Sequence, residues 1–394
     1  MRRIVVLGFV SPLHRDRVPV IQGMDKVISS EAELKGLDLG DSFVVALILS
    51  GGVSRLVGEL ASSYGLRRVL LVSHPESNSL ASALDARALL SDFGVDSGIL
   101  HINSLDELGR AFRVARAVAS ILGIRVALLG VETKTSIARF FEDRFEAKVD
   151  IISMGDFEEL VSKADDRVAK DFVNYLQGKV RFEVNSERLL DVGRIYAAMH
   201  GLYGRYDALA INCFPYLIKH RVTPCLALAR LNEEGLIAAC EADLRALFSM
   251  VIAKELTGYS GWIANTNHVQ GNRAVFSHCT VALNMVSDAR VVTHFESGFH
   301  YGLTGKLRFG EVTGVSVSND FRRMGIFKAS VVESGLLSNR MCRTQAILDL
   351  GVDSSVILRL APYNHHVIIP GDVVKEVETI ASILGIEVIK YTSS

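Results

Sequence analysis

Tryptophan occurs once, glutamine four times and cysteine five times in 394 residues. The cysteines, at positions 213, 225, 240, 279 and 342, are odd in number and include no CxxC pair, so neither a disulfide framework nor a zinc ribbon is expected. Charge of one sign is not in excess: 43 basic side chains face 44 acidic ones, for a formal net charge of −1. That balance gives no long-range pull toward nucleic acid or anionic lipid, and neither is expected as a partner. Long apolar runs are missing too. Val44–Leu49, Val69–Val72 and Val126–Leu129 fall far short of the roughly 18–20 residues of a membrane helix. The start, Met1 to Gly8, has two arginines but too short an apolar stretch for a signal peptide, so a cytoplasmic protein is expected. The scarcity of glutamine is a hint of a hot-growing source.

What is present is globular: 49% apolar and 22% charged residues, with a mean hydropathy of +0.28. High hydropathy without a spanning segment points to parallel strands buried on both faces, which read as short Val/Ile/Leu runs. Strand-like runs at Arg3–Phe9, Val44–Leu49 and Arg68–Val72 alternate with helical patterns at Ser54–Tyr64, Leu80–Phe93 and Asp106–Leu122. Such alternation predicts βαβ units in a doubly wound sheet. The pattern restarts near Gly123. Arg125–Val131, Val149–Ser153, Ala208–Cys213 and Cys225–Leu231 read as strands, and Ala238–Leu256 reads as a helix closed by Gly258. From 263 onward the runs are short and turn-rich, including Ala274–Cys279, Arg290–Phe295, Gly314–Val317 and Ser355–Leu360, which predicts an antiparallel sheet or barrel. A helix at Val373–Leu384 and a strand at Glu387–Tyr391 finish the chain. The expected class is α/β, with domains over 1–123, 124–262 and 263–394.

Few residues offer chemistry. The turn Ser50-Gly51-Gly52-Val53-Ser54-Arg55 follows a strand and opens a helix, where amides can receive an anion, but it has no nucleotide-binding spacing and reads first as a tight turn needing glycine. Glu241, three residues before Leu244 and seven before Phe248, falls on the apolar side of the expected helix Ala238–Leu256. There it is either a functional carboxylate at the sheet's carboxyl edge or a helix-end charge paired with Arg245. Six of eleven histidines (268, 278, 294, 300, 365 and 366) lie in the last third. With Glu241 they make a candidate N/O ligand set for a divalent metal, although each taken singly fits a bonded core or surface residue. His365 and His366 are adjacent on a strand and must point to opposite faces. Cys279 and Cys342 read as small buried hydrophobes, and Trp262, Phe295 and Tyr363 as either core or the floor of a sugar site.

A series of segments is similar to the L-fucose isomerase and L-arabinose isomerase superfamily. They are Ile211-Asn212-Cys213-Phe214-Pro215, Pro224-Cys225-Leu226-Ala227, Ala239-Cys240-Glu241-Ala242-Asp243, Ser277-His278-Cys279, Thr293-His294-Phe295-Glu296, Gly310-Glu311-Val312-Thr313, Cys342-Arg343-Thr344-Gln345 and Asn364-His365-His366-Val367 with Gly371-Asp372. Ser50-Gly51-Gly52 and Asn78-Ser79-Leu80 also resemble that family, so the match runs along nearly the whole chain in order. The resemblance implies two Rossmann-like doubly wound domains followed by a β-rich, barrel-like third. It implies a cytoplasmic homo-oligomer with sites between subunits, a Mn²⁺ or similar ion, and an open-chain sugar isomerised from aldose to ketose through a cis-enediol. Carried over by motif, Glu241 is a metal ligand and the acid/base, His365 is a further ligand, and His278 matches the ligand of the arabinose branch. An acidic residue, catalytic and metal-bound, is expected in Trp262-Ile263-Ala264-Asn265-Thr266-Asn267, where this chain offers Asn265. Two other functions share the scaffold: a non-catalytic sugar-binding homologue, and an epimerase or lyase on a modified sugar.

Overall fold

Short β-branched runs between amphipathic helices bury both faces of a sheet, and they do so twice here. The structure, a computed structural model, describes residues 1–392; the end of the expected third domain, 393–394, lies outside the described residues. The chain divides into two units, Met1–Leu122 with Lys375–Glu387, and Gly123–Val374 with the residues from Val388 onward. No helix among the described residues is long and apolar enough to cross a membrane.

In the first unit β1 (Ile4–Phe9), β2 (Lys26–Ile28), β3 (Phe43–Ile48), β4 (Arg68–Ser73) and β5 (Asp96–His101) form a parallel sheet ordered β2-β1-β3-β4-β5. Every residue of β3 is buried, as a central strand covered on both faces requires. Helices α1 (Ser54–Tyr64), α2 (Ser79–Asp92) and α3 (Leu108–Ile121) link and cover the strands. The helix Val374–Ile383 closes against β5 where Gly98 leaves room: a Cβ there would lie 2.6 Å from the Thr379 carbonyl oxygen.

The second unit contains β6 (Arg125–Leu129), β7 (Lys148–Ile152), β8 (Arg181–Phe182), β9 (Ala208–Ile211) and β10 (Ala238–Ala239). All but β8 make a parallel sheet ordered β10-β9-β6-β7. Its helices are α4 (Ser136–Phe145), α5 (Met154–Ser162), α6 (Asp166–Lys179), α7 (Leu189–His200), α8 (Cys213–His220), α9 (Cys225–Glu233) and α10 (Leu244–Thr257). The same unit holds β11 (Trp262–Gln270), β12 (Arg273–His278), β13 (Val286–Thr293), β14 (His300–Leu307), β15 (Glu311–Val317), β16 (Arg323–Gly335), β17 (Thr344–Asp349), β18 (His365–Pro370) and β19 (Glu387–Lys390), the last straddling the two units. Strands β15-β18-β11-β12-β17-β16 pair antiparallel all the way round and close on themselves through β15–β16. This six-stranded barrel leaves no free edge on β12 and β18, the strands that carry His278 and His365. β13 pairs with β14 and β8 in a separate small sheet. Phe145 of α4, Phe248 of α10 and Phe321 of the β15–β16 turn pack with ring centroids 5.0–5.8 Å apart and tie the parallel sheet's helices to the barrel.

Three local expectations differ from the structure. Cys225–Leu231 is helix, not strand: the run Cys-Leu-Ala-Leu-Ala has no strand period, its Ala and Leu favour helix, and Pro224 caps it. Ser355–Leu360 holds a short helix, Val356–Leu360. The helix expected over Ala238–Leu256 begins only at Leu244, because Ala238–Ala239 pair with β9 and Asp243 caps α10 by accepting from the amides of Arg245 and Ala246.

Inside the barrel Phe276, Phe327, His366 and Tyr391 pack ring to ring, and complete burial pushes the His366 imidazole down to about 4. Gly314 lies directly across from Phe327, and a Cβ there would overlap the phenyl ring. Gly314→Ala should therefore lower stability by about 1–3 kcal/mol, the cost of overpacking a filled core, read as a lower urea midpoint. Adding Phe327→Leu should recover part of the loss. A midpoint equal to the parent's would show that the ring moves freely aside.

Candidate active site

Glu241 sits on neither face of a helix. It occupies the turn between β10 and α10, where Glu241 and Ala242 have φ of 57° and 49°, consecutive left-handed residues that are not glycine. Such a conformation costs roughly 1–2 kcal/mol per residue and persists only where the surroundings hold it. Here the Ala242 amide donates to the Ile211 carbonyl at 2.8 Å and the Asp243 amide to Cys240 at 3.1 Å. The turn thus places the Glu241 carboxylate beyond the carboxyl end of the second parallel sheet, where open α/β sheets bind ligands. Arg245 does not pair with it; its Nε donates to Asp243 Oδ1 at 2.9 Å and its guanidinium stacks over Tyr363 at 3.4 Å.

The barrel supplies the other side. His278 ends β12 and His365 begins β18, a strand that pairs with β11 so that His365 lies opposite Asn265. His278 Nε2 is 3.5 Å from one Glu241 oxygen and His365 Nε2 is 3.7 Å from the other. Both imidazoles are 4% exposed, against 35% for the Glu241 side chain. His365 Nδ1 meets Asp243 Oδ2 at 2.7 Å, and that carboxylate is 1% exposed. This contact fixes a proton on Nδ1 and turns Nε2 toward Glu241, the arrangement by which a carboxylate orients a ligating histidine. His365 Nε2 and both His278 nitrogens are buried without a hydrogen-bond partner among the described residues. Glu241, His278 and His365 offer three ligand atoms within 4.8 Å of one another, a donor set suited to a borderline divalent cation.

Asn265 lines the same cavity, with its Oδ1 accepting from Asn364 Nδ2 at 2.6 Å. His366 points the other way, into the barrel core. Trp262 is core as well, donating Nε1–H to Thr280 at 3.0 Å. In the first unit the Gly51 amide donates to Ser77 and the Val53 amide to the Ser82 hydroxyl, so Ser50-Gly51-Gly52 is bound up as a tight turn. Sequence reasoning gave no role to Asp243, whose signal was an acidic residue directly before an apolar helical run, nor to Glu296, which lines the cavity together with His294, one of the six histidines singled out.

Charge follows from these contacts. Burial by itself raises the Glu241 carboxyl, but attraction to His278 and then His365 outweighs it and holds the group below the ordinary carboxylate range. Asp243 is likewise lowered: His365 and Arg245 together overcome the burial penalty. Contact with Cys213 and then burial push the Cys240 thiol well up.

No family model matches the sequence. It is similar to curated sulfoquinovose isomerases: 26% identical over 210 residues to that of Priestia aryabhattai, covering 50% of this chain and 46% of the relative. The enzyme of Alkalicoccus urumqiensis is 28% identical over 207 residues, covering 47% and 44%, and that of Clostridium sp. (strain MSTE9) is 27% identical over 215 residues, covering 48% and 47%. The chain spans about half the length of the curated relatives it matches.

Because the Asp243 carboxyl is lowered from 3.8 on folding, its ionisation stabilises the protein above that pH and the contribution fades as pH falls through the folded value. Asp243→Asn keeps a capping side chain but removes the charge, and should cost about 1.5–3 kcal/mol near neutrality. In urea melts over a pH series, the gap from the parent should narrow toward pH 4 and below. A gap that does not vary with pH would show that the charge is not what holds His365.

Proposed function

We propose that this protein is an aldose–ketose isomerase of an open-chain sugar, with a divalent metal, Mn²⁺ by preference, held by Glu241, His278 and His365. The observation that carries the reading is the pair of buried imidazoles whose free nitrogens face one carboxylate, with His365 oriented by Asp243. Two histidine nitrogens and a carboxylate suit the ion, and buried nitrogens without partners cost free energy unless something meets them. When bound, such an ion supplies Lewis-acid polarisation of the sugar's carbonyl and adjacent hydroxyl oxygens.

The chain's own residues do the rest. Glu241, kept ionised by its histidine neighbours, takes the proton from the carbon beside the carbonyl and returns it to the adjoining carbon from the same face, the two halves of a cis-enediol shift. A carboxylate suits this because it acts first as base and then, loaded, as acid. Asn265 adds polar contacts without charge. The cavity walls around Phe214, Leu217 and Pro224 keep bulk water from the proton in transit. Similarity to sulfoquinovose isomerases supports an isomerase and makes sulfoquinovose the first sugar to assay, ahead of L-fucose and L-arabinose. A modified sugar is thus the favoured variant of the reading. The same reading makes the protein a cytoplasmic homo-oligomer.

Turnover of a sugar panel should require Mn²⁺ or Co²⁺ and vanish after chelation. Glu241→Gln should cut it by at least about 10²-fold with an unchanged circular dichroism spectrum. Parent-like turnover in that variant, or full activity in metal-free protein, would overturn the reading.

Asn265→Asp tests the missing charge. An amide oxygen offers a cation no negative charge, so the substitution should tighten Mn²⁺ binding in a calorimetric titration and keep or raise turnover. Unchanged affinity would place Asn265 outside the ligand set.

A further inference from the structure

All five cysteines of the chain line the one cavity that holds Glu241 and His278. All are free thiols and four are buried. Two pairs meet within that group: Cys279 and Cys342 share a side-chain contact, and Cys213 Sγ lies 3.4 Å from Cys240 Sγ, in van der Waals contact beside Glu241. Their positions follow from the sheet. Cys213 opens α8 directly after β9 and Cys240 directly follows β10, and these strands are parallel neighbours in register at Ala210 and Ala239. Both side chains therefore emerge at the same carboxyl edge.

We propose that Cys213 and Cys240 are an oxidative modification site, forming a reversible disulfide that displaces Glu241. The oxidant is hydrogen peroxide, small enough to enter the cavity. Cys213 sulfur attacks one peroxide oxygen, the O–O bond breaks, and water leaves with the thiol proton, giving a sulfenic acid. Cys240 sulfur then attacks Cys213 sulfur, the S–O bond breaks, and a second water leaves. Two thiols lose two electrons and two protons, and the peroxide gains both. A disulfide holds its sulfurs at about 2.05 Å, so the pair must close by more than about 1 Å. Cys240 is bonded to Glu241, and the turn beyond it has two left-handed residues with no slack to absorb the pull. Metal ligands tolerate displacements of only about 0.2 Å, so a movement of this size dismantles the donor set. A dithiol reductant reverses it by exchange. The effect on metal rests on the isomerase reading; the disulfide itself does not.

The test uses the full chain, reduced and then exposed to one equivalent of hydrogen peroxide. Thiols titrated in denaturant should fall from five to three, and peptide mapping should join Cys213 to Cys240. Amide exchange across 240–243 should change on oxidation, and Mn²⁺ affinity should fall at least tenfold, both returning with dithiothreitol. Cys213→Ser should keep its four thiols through the same treatment and show no change in exchange. Five surviving thiols, a link between other cysteines, or a joined pair with unchanged exchange would overturn the proposal. Absence of Mn²⁺ binding in the reduced protein would count against the isomerase reading alone, since thiol count, mapping and exchange decide the disulfide without it.

Discussion

The carboxylate of Asp243 is where the parallel sheet and the barrel of the second unit become one site. Its Oδ1 accepts the amides that start α10 and the Nε–H of Arg245, while its Oδ2 meets Nδ1 of His365 on a strand more than a hundred residues further on. A buried carboxylate is costly unless each lone pair has a partner, and here both oxygens are met by donors. Satisfying Asp243 therefore constrains the helix start, the preceding turn and the imidazole of His365 together. Arg245, stacked on Tyr363, closes the arrangement from the barrel side.

The turn at Glu241 gains its geometry from the same constraint. Two left-handed residues in succession are unfavourable in isolation, and the hydrogen bonds of Ala242 to Ile211 and of Asp243 to Cys240 hold them. The site is built from rigid pieces: a strand end, a capped helix and a closed barrel. That is the setting in which a carboxylate can be kept 3.5 and 3.7 Å from two imidazoles that are themselves buried.

Much of the fold was legible in the residues because buried parallel strands leave a strong local mark. β1, β3, β4 and β6 stand out as apolar runs, and α1 to α3 as periodic stretches. Elements whose identity depends on partners were not. Cys225–Glu233 is a short apolar run that passes for a buried strand by length although its Ala and Leu favour helix, and β10 is two residues long, defined only by its pairing with β9. Barrel closure through β15 and β16 is a long-range fact without local signature. At the site, Glu241 stood out as a misplaced charge, but on a helix it does not occupy. His278 and His365 were singled out by resemblance rather than by spacing, since the β11–β18 pairing that brings His365 back is invisible in sequence. Asp243 was hidden by the helix drawn through it.

The proposed chemistry requires Glu241, His278 and His365 to share one ion. Anomalous scattering from a crystal soaked with Mn²⁺ and an open-chain polyol measures this directly. A shared ion gives a single strong peak bonded to the Glu241 carboxylate and to the Nε2 atoms of His278 and His365. A peak elsewhere, or none at saturating Mn²⁺, contradicts it.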